Sequence, residues 1–174
     1  NFRACLRAQD ERTGHASRVP SIGVMPIGVD PLHFSITADE VLDREVGGLR
    51  AALGGRRMIL GVDRLDYSKG VPQRLMAFDR LLETHPEWRS KVCFVQISVP
   101  SREEVPEYAE LRHQVETLVG RINGRYGEAD WVPVRYLYRS YDRRVLSQLY
   151  RSADVALVTP LRDGMNLVAK EFVA

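Results

Sequence analysis

Four short apolar runs, rich in β-branched residues, predict the buried strands of a sheet. They occupy residues 58–62, 92–97, 134–138 and 154–158. Short apolar runs bounded by turn residues are typical of strands that are covered on both faces. After the last run, Pro160 ends the strand because proline cannot donate a hydrogen bond into a continuing ladder.

Apolar residues between these runs recur at every third or fourth position, which predicts a helix after each of the first three strands. A further helix is predicted before the first strand, from a capping-box pattern at residues 37–40 to Gly54. The residues on the predicted apolar faces are Leu42, Val46, Leu49 and Leu53; Leu75, Phe78 and Leu82; Tyr108, Leu111, Val115, Leu118 and Ile122; and Val145, Leu146, Leu149 and Tyr150. This alternation predicts an α/β fold with a doubly wound, parallel, Rossmann-like sheet.

The N-terminal stretch has a different pattern. Residues 1–12 resemble the end of an amphipathic helix, and residues 18–29 mix apolar residues with proline and glycine, which favours short extended pieces at a domain edge. We therefore predict a domain crossover, with residues 1–28 ending one domain and residues 29–174 forming the next. Because neither end carries a helix cap or stop signal, we expect the chain to be part of a longer polypeptide.

Composition narrows the class of protein. The 174 residues are 44% hydrophobic and 28% charged, with a formal net charge of +2, which argues against wholesale nucleic-acid binding. No apolar run is long enough to span a bilayer, and no signal-peptide pattern is present. Cys5 and Cys93 lie far apart in apolar surroundings, which favours buried free thiols and a cytoplasmic protein.

The sequence lacks the common signatures of metal and nucleotide chemistry. It has no Gly-x-Gly-x-x-Gly and no Walker-type loop. Its four histidines form no pair with the spacing of metal ligands, and no cluster of cysteine, histidine and aspartate indicates a metal site. We therefore expect neither a metal nor another cofactor.

Two loops with unusual chemistry are expected to meet at one edge of the sheet. In a doubly wound sheet, ligands bind beyond the carboxyl ends of the strands, where the strand order reverses. With the order 3-2-1-4, this point lies between the first and fourth strands. The loops there are residues 63–70, the first loop, and residues 159–164, the second loop.

The first loop carries two cations of different shape. Arg64 offers a planar fork of donors and Lys69 a compact charge, which suits two different oxygens of a diphosphate. The alternative is that both cations merely pair with Asp63 and Asp66 in a solvated loop. Their position at the carboxyl ends of the strands favours the phosphate role.

The second loop leads into a predicted final helix that begins near Asn166. Asp163 could accept hydrogen bonds from a hydroxyl-rich ligand, and Gly164 allows a close approach of the backbone. Glu171 lies about 12 Å farther along the helix axis, so it could hold a ribose at another part of one ligand. The alternative makes Glu171 a surface residue of the helix that pairs with Lys170 or is unpaired. Three neighbours are expected to pack rather than to bind: Met165, Leu167 and Val168.

A third cation, Arg102, follows the second strand. Ser101 has the pattern of a helix N-cap, with Glu104 as its capping-box partner. Arg102 would then stand in the first turn of a helix, where the dipole disfavours a cation. This placement indicates that Arg102 faces an anion. Residues 139–142, after the third strand, would border the same cleft.

Residues 62–70 and 159–171 closely resemble the signature stretches of the trehalose-6-phosphate synthase family. Similarity at residues 26–30 and 120–124 extends the resemblance over nearly the whole chain. It implies the C-terminal half of a GT-B fold, with residues 1–28 ending an N-terminal acceptor domain. The implied activity is transfer of glucose from UDP-glucose to glucose 6-phosphate with retention and without a metal.

The resemblance also implies a role for each residue of the site. Arg64 and Lys69 would bind the donor diphosphate and act in catalysis, because negative charge grows on the leaving phosphate. Glu171 would hold the ribose, Arg102 the phosphate of the acceptor, and Tyr141 the base, mainly through its backbone. Asp163 would hold hydroxyls of the transferred glucose. The rest of the donor site would be formed by Gly164, Met165, Asn166, Leu167 and Val168.

Several alternatives stay open within this resemblance. The same scaffold serves pseudo-glycosyltransferases that couple cyclitols and non-catalytic regulatory homologues that bind sugar phosphates. The base preference among UDP, GDP and ADP is open, and so is a homo-oligomer. No nucleic acid or membrane is expected as a partner. Because the acceptor domain would lie outside this sequence, we expect the chain to bind nucleotide without turnover.

Overall fold

A four-stranded parallel sheet is the centre of residues 26–34 and 41–174, the part of the chain that this computed structural model describes. The sheet order is β3-β2-β1-β4, and every pairing is parallel. The predicted α/β fold and the predicted strand order are therefore confirmed. The strands are β1 Arg57–Arg64, β2 Val92–Val99, β3 Val134–Leu137 and β4 Val155–Ala156.

Five α-helices flank the sheet in the described residues. They are α1 Arg44–Leu53, α2 Val71–Thr84, α3 Pro106–Tyr126, α4 Arg143–Ser152 and α5 Leu167–Val173. Short 3₁₀ turns occupy Pro31–His33, Tyr67–Lys69 and Pro86–Trp88. Side chains cap three of the helices, because an acceptor at the N-cap satisfies an otherwise free N–H group. The capping residues are Asp43, Asp142 and Asn166.

Helix α1 begins later than the sequence pattern predicts. The capping-box pattern at residues 37–40 lies outside the described residues. The Asp43 carboxylate instead accepts a hydrogen bond from the Glu45 N–H at 2.8 Å, and the helix starts at Arg44. Leu42 therefore precedes the helix and is 42% exposed, so its predicted place on the apolar face is wrong.

The predicted N-cap of α3 is also wrong. This helix begins at Pro106 and not after Ser101, and Val105 stands before it in an extended conformation. Proline is favoured in the first turn of a helix, and it disfavours the helical conformation of the residue before it. Arg102 consequently lies in the loop before α3 and not in its first turn, with a left-handed backbone at φ 50°.

The sheet has an apolar core on each face. Helices α2 and α3 cover one face, where the core is formed by Leu75, Phe78, Phe94, Val115, Ile122 and their neighbours. Helices α1, α4 and α5 contribute to the other face, around Met58, Leu60, Val95, Ile97 and Leu149. Helices on both faces make the sheet doubly wound, and they leave the carboxyl ends of the strands to the loops.

A buried polar network lies beneath α2, within the apolar core. Arg74 is 2% exposed, and its Nη1 donates to Asp63 Oδ2 at 2.6 Å and to Gln96 Oε1 at 2.9 Å. Burial raises the pKa of Asp63, and the positive charge of Arg74 opposes that rise. Gly61 makes room for this network, since a Cβ there would lie 2.4 Å from Gln96 Oε1 and 2.6 Å from Arg74 Nη1.

We expect Gly61→Ala to lower the free energy of unfolding by about 1–3 kcal/mol, because the added methyl group displaces hydrogen-bonded side chains that have no room to move. Gly120→Ala is the matched control. Its methyl group meets no heavy atom within 4 Å on α3. It should raise the free energy of unfolding by about 0.5–1 kcal/mol. Urea unfolding of both variants measures this difference, and equal effects would contradict it.

Candidate functional site

The two loops meet because β1 and β4 are neighbours in the sheet. Ile59 pairs with Val155 and Leu60 with Ala156, so both strands end at the same edge. The first loop follows β1 and the second loop follows β4. This is the point where the order β3-β2-β1-β4 reverses relative to the sequence, which is where ligands bind in such sheets.

Backbone hydrogen bonds join the two loops directly. The N–H groups of Leu161 and Arg162 donate to the Ser68 carbonyl oxygen at 2.8 and 3.2 Å. Gly70 passes so close that a Cβ on it would lie 2.7 Å from the Thr159 carbonyl oxygen, and its φ of +67° is in the left-handed region. The loops therefore form one connected surface.

Lys69 and Asp163 form an ion pair between the loops. The Lys69 Nζ donates to Asp163 Oδ2 at 2.6 Å, and the two side chains are 16% and 18% exposed. This hydrogen bond is the main reason why the pKa of Asp163 lies below its ordinary value of 3.8. The alternative in which Lys69 pairs with Asp63 or Asp66 is not what the structure shows.

Asp163 is also tied to the start of α5. The Asn166 Nδ2 donates to Asp163 Oδ2 at 3.3 Å, and the Asn166 Oδ1 accepts from the Ala169 N–H at 3.0 Å. The predicted helix after the second loop is thus present, with Asn166 as its N-cap. The predicted donor-site residues around it differ in exposure: Gly164 and Leu167 are exposed, whereas Met165 and Val168 are partly buried, and Val168 packs against the α1 and α4 core.

Arg64 lies at the end of β1, in the first loop that also carries Lys69, and it is exposed. Its guanidinium makes no hydrogen bond or ion pair with the side chain or backbone of any other described residue. Burial acts to raise the pKa of Asp66, but hydrogen bonds from Ser68 and Tyr108, together with the charge of Arg64, hold that pKa below its ordinary value. Arg64 is therefore a cation whose donors are available to a ligand.

Arg102 is linked to the first loop through Tyr108. The Arg102 Nη1 donates to the Tyr108 hydroxyl at 3.0 Å, and that hydroxyl donates to Asp66 Oδ2 at 3.0 Å. The other Asp66 oxygen accepts from the Ser68 N–H at 2.9 Å. The structure thus brings Arg102 towards the loop that carries Arg64, although it does so by a route that the sequence pattern did not predict.

Glu171 lies on α5, the helix that follows the second loop. It is partly buried on α5, and its Oε2 accepts a hydrogen bond from the Tyr150 hydroxyl at 2.8 Å. Burial, followed by this bond, raises the pKa of Tyr150. Lys170 does not pair with Glu171, because its Nζ bonds to the Ile27 carbonyl oxygen and to Met165 Sδ.

The side chain of Tyr141 bonds to α1 and to neither loop. Its hydroxyl donates to Glu45 Oε1 at 2.7 Å, and Arg139 Nη1 donates to the same oxygen at 3.1 Å. Tyr141 also borders a largely apolar cavity of about 340 Å³ between α1, β3 and α4, which no residue of either loop lines. The predicted role of the Tyr141 backbone near the base stays a prediction.

Sequence reasoning missed three residues that hold the site together: Arg74, Tyr108 and Thr159. The hydrophobic pattern of the sequence did contain a signal for Arg74. It shares the buried face of α2 with Val71, Leu75 and Phe78, so a charged residue occupies an apolar position of the helical pattern. Because a charge is buried only when it is paired, that position predicts a buried partner.

The described residues contain no group of three or more histidine, cysteine, aspartate or glutamate side chains that could hold a metal ion. None of the described helices has the length and apolar content of a membrane crossing. Cys93 is a buried free thiol, as predicted, and it donates to the Val132 carbonyl oxygen at 3.3 Å. Cys5 lies outside the described residues.

Comparison with known proteins gives consistent results. The sequence model of glycosyltransferase family 20 matches residues 5–174. The trehalose-6-phosphate synthase of Salmonella arizonae is 50% identical over 151 residues, which is 87% of this chain and 32% of the relative. The chain thus spans about a third of the length of that curated relative.

Two solved structures from bacteria share the fold. A trehalose-6-phosphate protein from Escherichia coli, bound with UDP-2-fluoro glucose, is 47% identical with a TM-score of 0.80, covering 85% of this chain and 33% of that one. An alpha,alpha-trehalose-phosphate synthase (UDP-forming) from Burkholderia xenovorans, in complex with glucose-6-phosphate, is 52% identical with a TM-score of 0.73. The match covers 75% of this chain and 29% of that one.

The Lys69–Asp163 pair predicts how Asp163 titrates. We expect Lys69→Met to raise the pKa of Asp163 towards 3.8, because the main hydrogen bond to the carboxylate is lost. Since the folded-state pKa is depressed, the pair's contribution to stability is complete above the unfolded pKa and is lost as the pH falls through the folded pKa. Carbon-detected NMR titration of the Asp163 carboxyl group measures the shift.

Lys170→Met is the control for this titration, because Lys170 bonds to Ile27 and Met165 and not to Asp163. It should leave the titration of Asp163 unchanged. An Asp163 titration that does not move in Lys69→Met would show that the ion pair is not formed in solution.

Proposed function

We propose a function from the premise that the chain belongs to glycosyltransferase family 20. The chain forms the donor-binding part of an enzyme that transfers glucose from UDP-glucose to glucose 6-phosphate with retention of configuration. The products are trehalose 6-phosphate and UDP. The observation that carries the proposal is the Lys69–Asp163 ion pair across the two loops, with the available guanidinium of Arg64 on the same first loop. The relatives bound to a UDP-glucose analogue and to glucose 6-phosphate support both substrates.

The ion pair provides one group for the diphosphate of the donor and one group for its sugar. Lys69 carries a compact positive charge for a phosphate oxygen, and Asp163 carries acceptors for sugar hydroxyls. The two groups bond to each other at 2.6 Å. A glucose diphosphate ester can replace that single bond with one bond to each group, whereas a nucleotide without the sugar can use only Lys69.

The chemical step depends on the charge of the leaving group. The bond between the glucose anomeric carbon and the diphosphate oxygen breaks, and a bond from that carbon to the acceptor hydroxyl oxygen forms on the same face. The hydroxyl proton passes to the departing phosphate oxygen. Arg64 and Lys69 stabilise the negative charge that develops on the diphosphate, and the second loop fixes the sugar in position.

The other residues are proposed to bind the rest of the two substrates. Glu171 holds the ribose, and the Tyr141 backbone lies near the base. Arg102, which Tyr108 orients towards the first loop, reaches the phosphate of the acceptor. An enzyme is favoured over a regulatory homologue, because the sequence contains all four residues of the expected donor site: Arg64, Lys69, Asp163 and Glu171. We further propose that transfer proceeds without a metal and in the cytoplasm.

The nucleotide assignment is tested by calorimetric titration of the chain with UDP, GDP and ADP. We expect UDP to bind most tightly, and Arg64→Glu to lower its affinity by more than about tenfold, because charged hydrogen bonds are replaced by repulsion. Arg50→Glu is the matched control. It makes the same charge change on an exposed residue of α1. If the UDP affinity of Arg64→Glu equals that of Arg50→Glu, the phosphate role is wrong.

The sugar assignment is tested by Asp163→Asn. This change frees Lys69 from its partner and weakens the acceptor for sugar hydroxyls. We therefore expect affinity for UDP to hold or rise, and affinity for UDP-glucose to fall by about tenfold. Asp130→Asn, which removes an exposed partner of Arg56, should change neither affinity. Equal losses for UDP and UDP-glucose in Asp163→Asn would rule out a role at the sugar.

A further inference from the structure

The guanidinium of Arg74 is fully buried at the base of the site, and its donors reach several elements. Its side chain is 0% exposed. Nη1 donates to Asp63 and Gln96, and Nε donates to Thr159 Oγ1 at 2.9 Å. Nη2 adds a long contact of 3.5 Å to the Lys69 carbonyl oxygen. One side chain therefore contacts β1, β2 and both loops.

These partners lie at the positions that determine the shape of the site. Asp63 immediately precedes Arg64, and the Lys69 carbonyl belongs to the other proposed phosphate ligand. Thr159 is the first residue of the second loop, four positions before Asp163. The spacing between the two loops is thus set from below by a rigid planar group.

Gln96 completes the geometry around Arg74. Its Nε2 donates to the Ile97 carbonyl oxygen at 2.9 Å, which leaves its Oε1 facing Arg74. Asp63 neutralises the charge of Arg74, and Thr159 accepts from the edge of the guanidinium that faces the second loop. Stability alone is a weak explanation for such a network, because well-packed apolar residues stabilise a core as well as a buried ion pair does.

We propose that Arg74 is a positioning residue that holds the two loops at the separation required for donor binding. This inference rests on the proposed function, since the ligand that needs this separation is the donor nucleotide. Arg74 touches no substrate. It acts through the Thr159 hydroxyl on the second loop, and through Asp63 and the Lys69 carbonyl on the first.

The test compares variants of the full chain. Arg74→Met removes every donor of the guanidinium, Arg74→Lys keeps the charge without the planar fork, and Thr159→Val removes only the bond to the second loop. Arg80→Met is the matched control. Arg80 lies on the same helix but bonds to Glu83 at the surface, at 2.7 Å.

The first measurement is hydrogen exchange at the amides of Leu161 and Arg162, which bond the second loop to the first. We expect exchange at both amides to rise about tenfold in Thr159→Val and in Arg74→Lys, because a hydrogen bond to a charged group is lost at the loop. The amides of β2 should stay protected in both variants. Arg80→Met should exchange as the unmodified chain does.

The second measurement is calorimetric titration of the same variants with UDP. We expect Thr159→Val and Arg74→Lys to bind UDP about tenfold more weakly, in step with the exchange at the loop. Arg74→Met should lose at least as much. If Arg74→Met does not fold, Thr159→Val and Arg74→Lys decide the question.

Three results would overturn the inference. The first is unchanged exchange at Leu161 and Arg162. The second is an equal rise in exchange there and in β2, which would make Arg74 only a stabiliser of the core. The third is raised exchange at the loop with unchanged UDP affinity. If the unmodified chain does not bind UDP, the proposed function fails instead, while the exchange pattern still shows whether Arg74 holds the loops.

Discussion

The parallel pairing of β1 with β4 is the contact on which the site depends. It brings the ends of two strands to one edge, so that the loops that follow them can contact each other. The pairing is short, with Ile59 beside Val155 and Leu60 beside Ala156. A side-chain contact extends it, because Asp154 Oδ2 accepts from the Met58 N–H at 2.7 Å. The cations of the first loop and the carboxylate of the second can therefore act on one ligand.

Two ion pairs at different depths serve this arrangement. The buried pair, Arg74 with Asp63, is shielded from solvent and fixes the backbone from which the loops start. The partly exposed pair, Lys69 with Asp163, joins the two loops nearer to the surface. A charge that is buried with its partner gives rigidity, whereas a charge at the surface remains available for binding.

The fold and the location of the site could be predicted from the sequence, because each depends on periodic apolar patterns and on a general rule for parallel sheets. The helix starts were less predictable. Ser101 matches a capping box, but the conformational limits that Pro106 imposes are stronger than one side-chain hydrogen bond. The partner of Lys69 could not be predicted either, since three carboxylates lie in the two loops and only the three-dimensional path of the chain selects Asp163.

The hydrogen bond from Met58 to Asp154 also bears on how the chain folds. It joins residues 96 positions apart, whereas β1 and β2 are connected through a single helix. Closing a long loop costs more entropy than closing a short one, so the β1–α2–β2 unit is expected to form before β4 joins it. Competence to bind a ligand then arises only at the last step of folding. A chain that has completed most of its sheet would still lack the surface that the two loops form together.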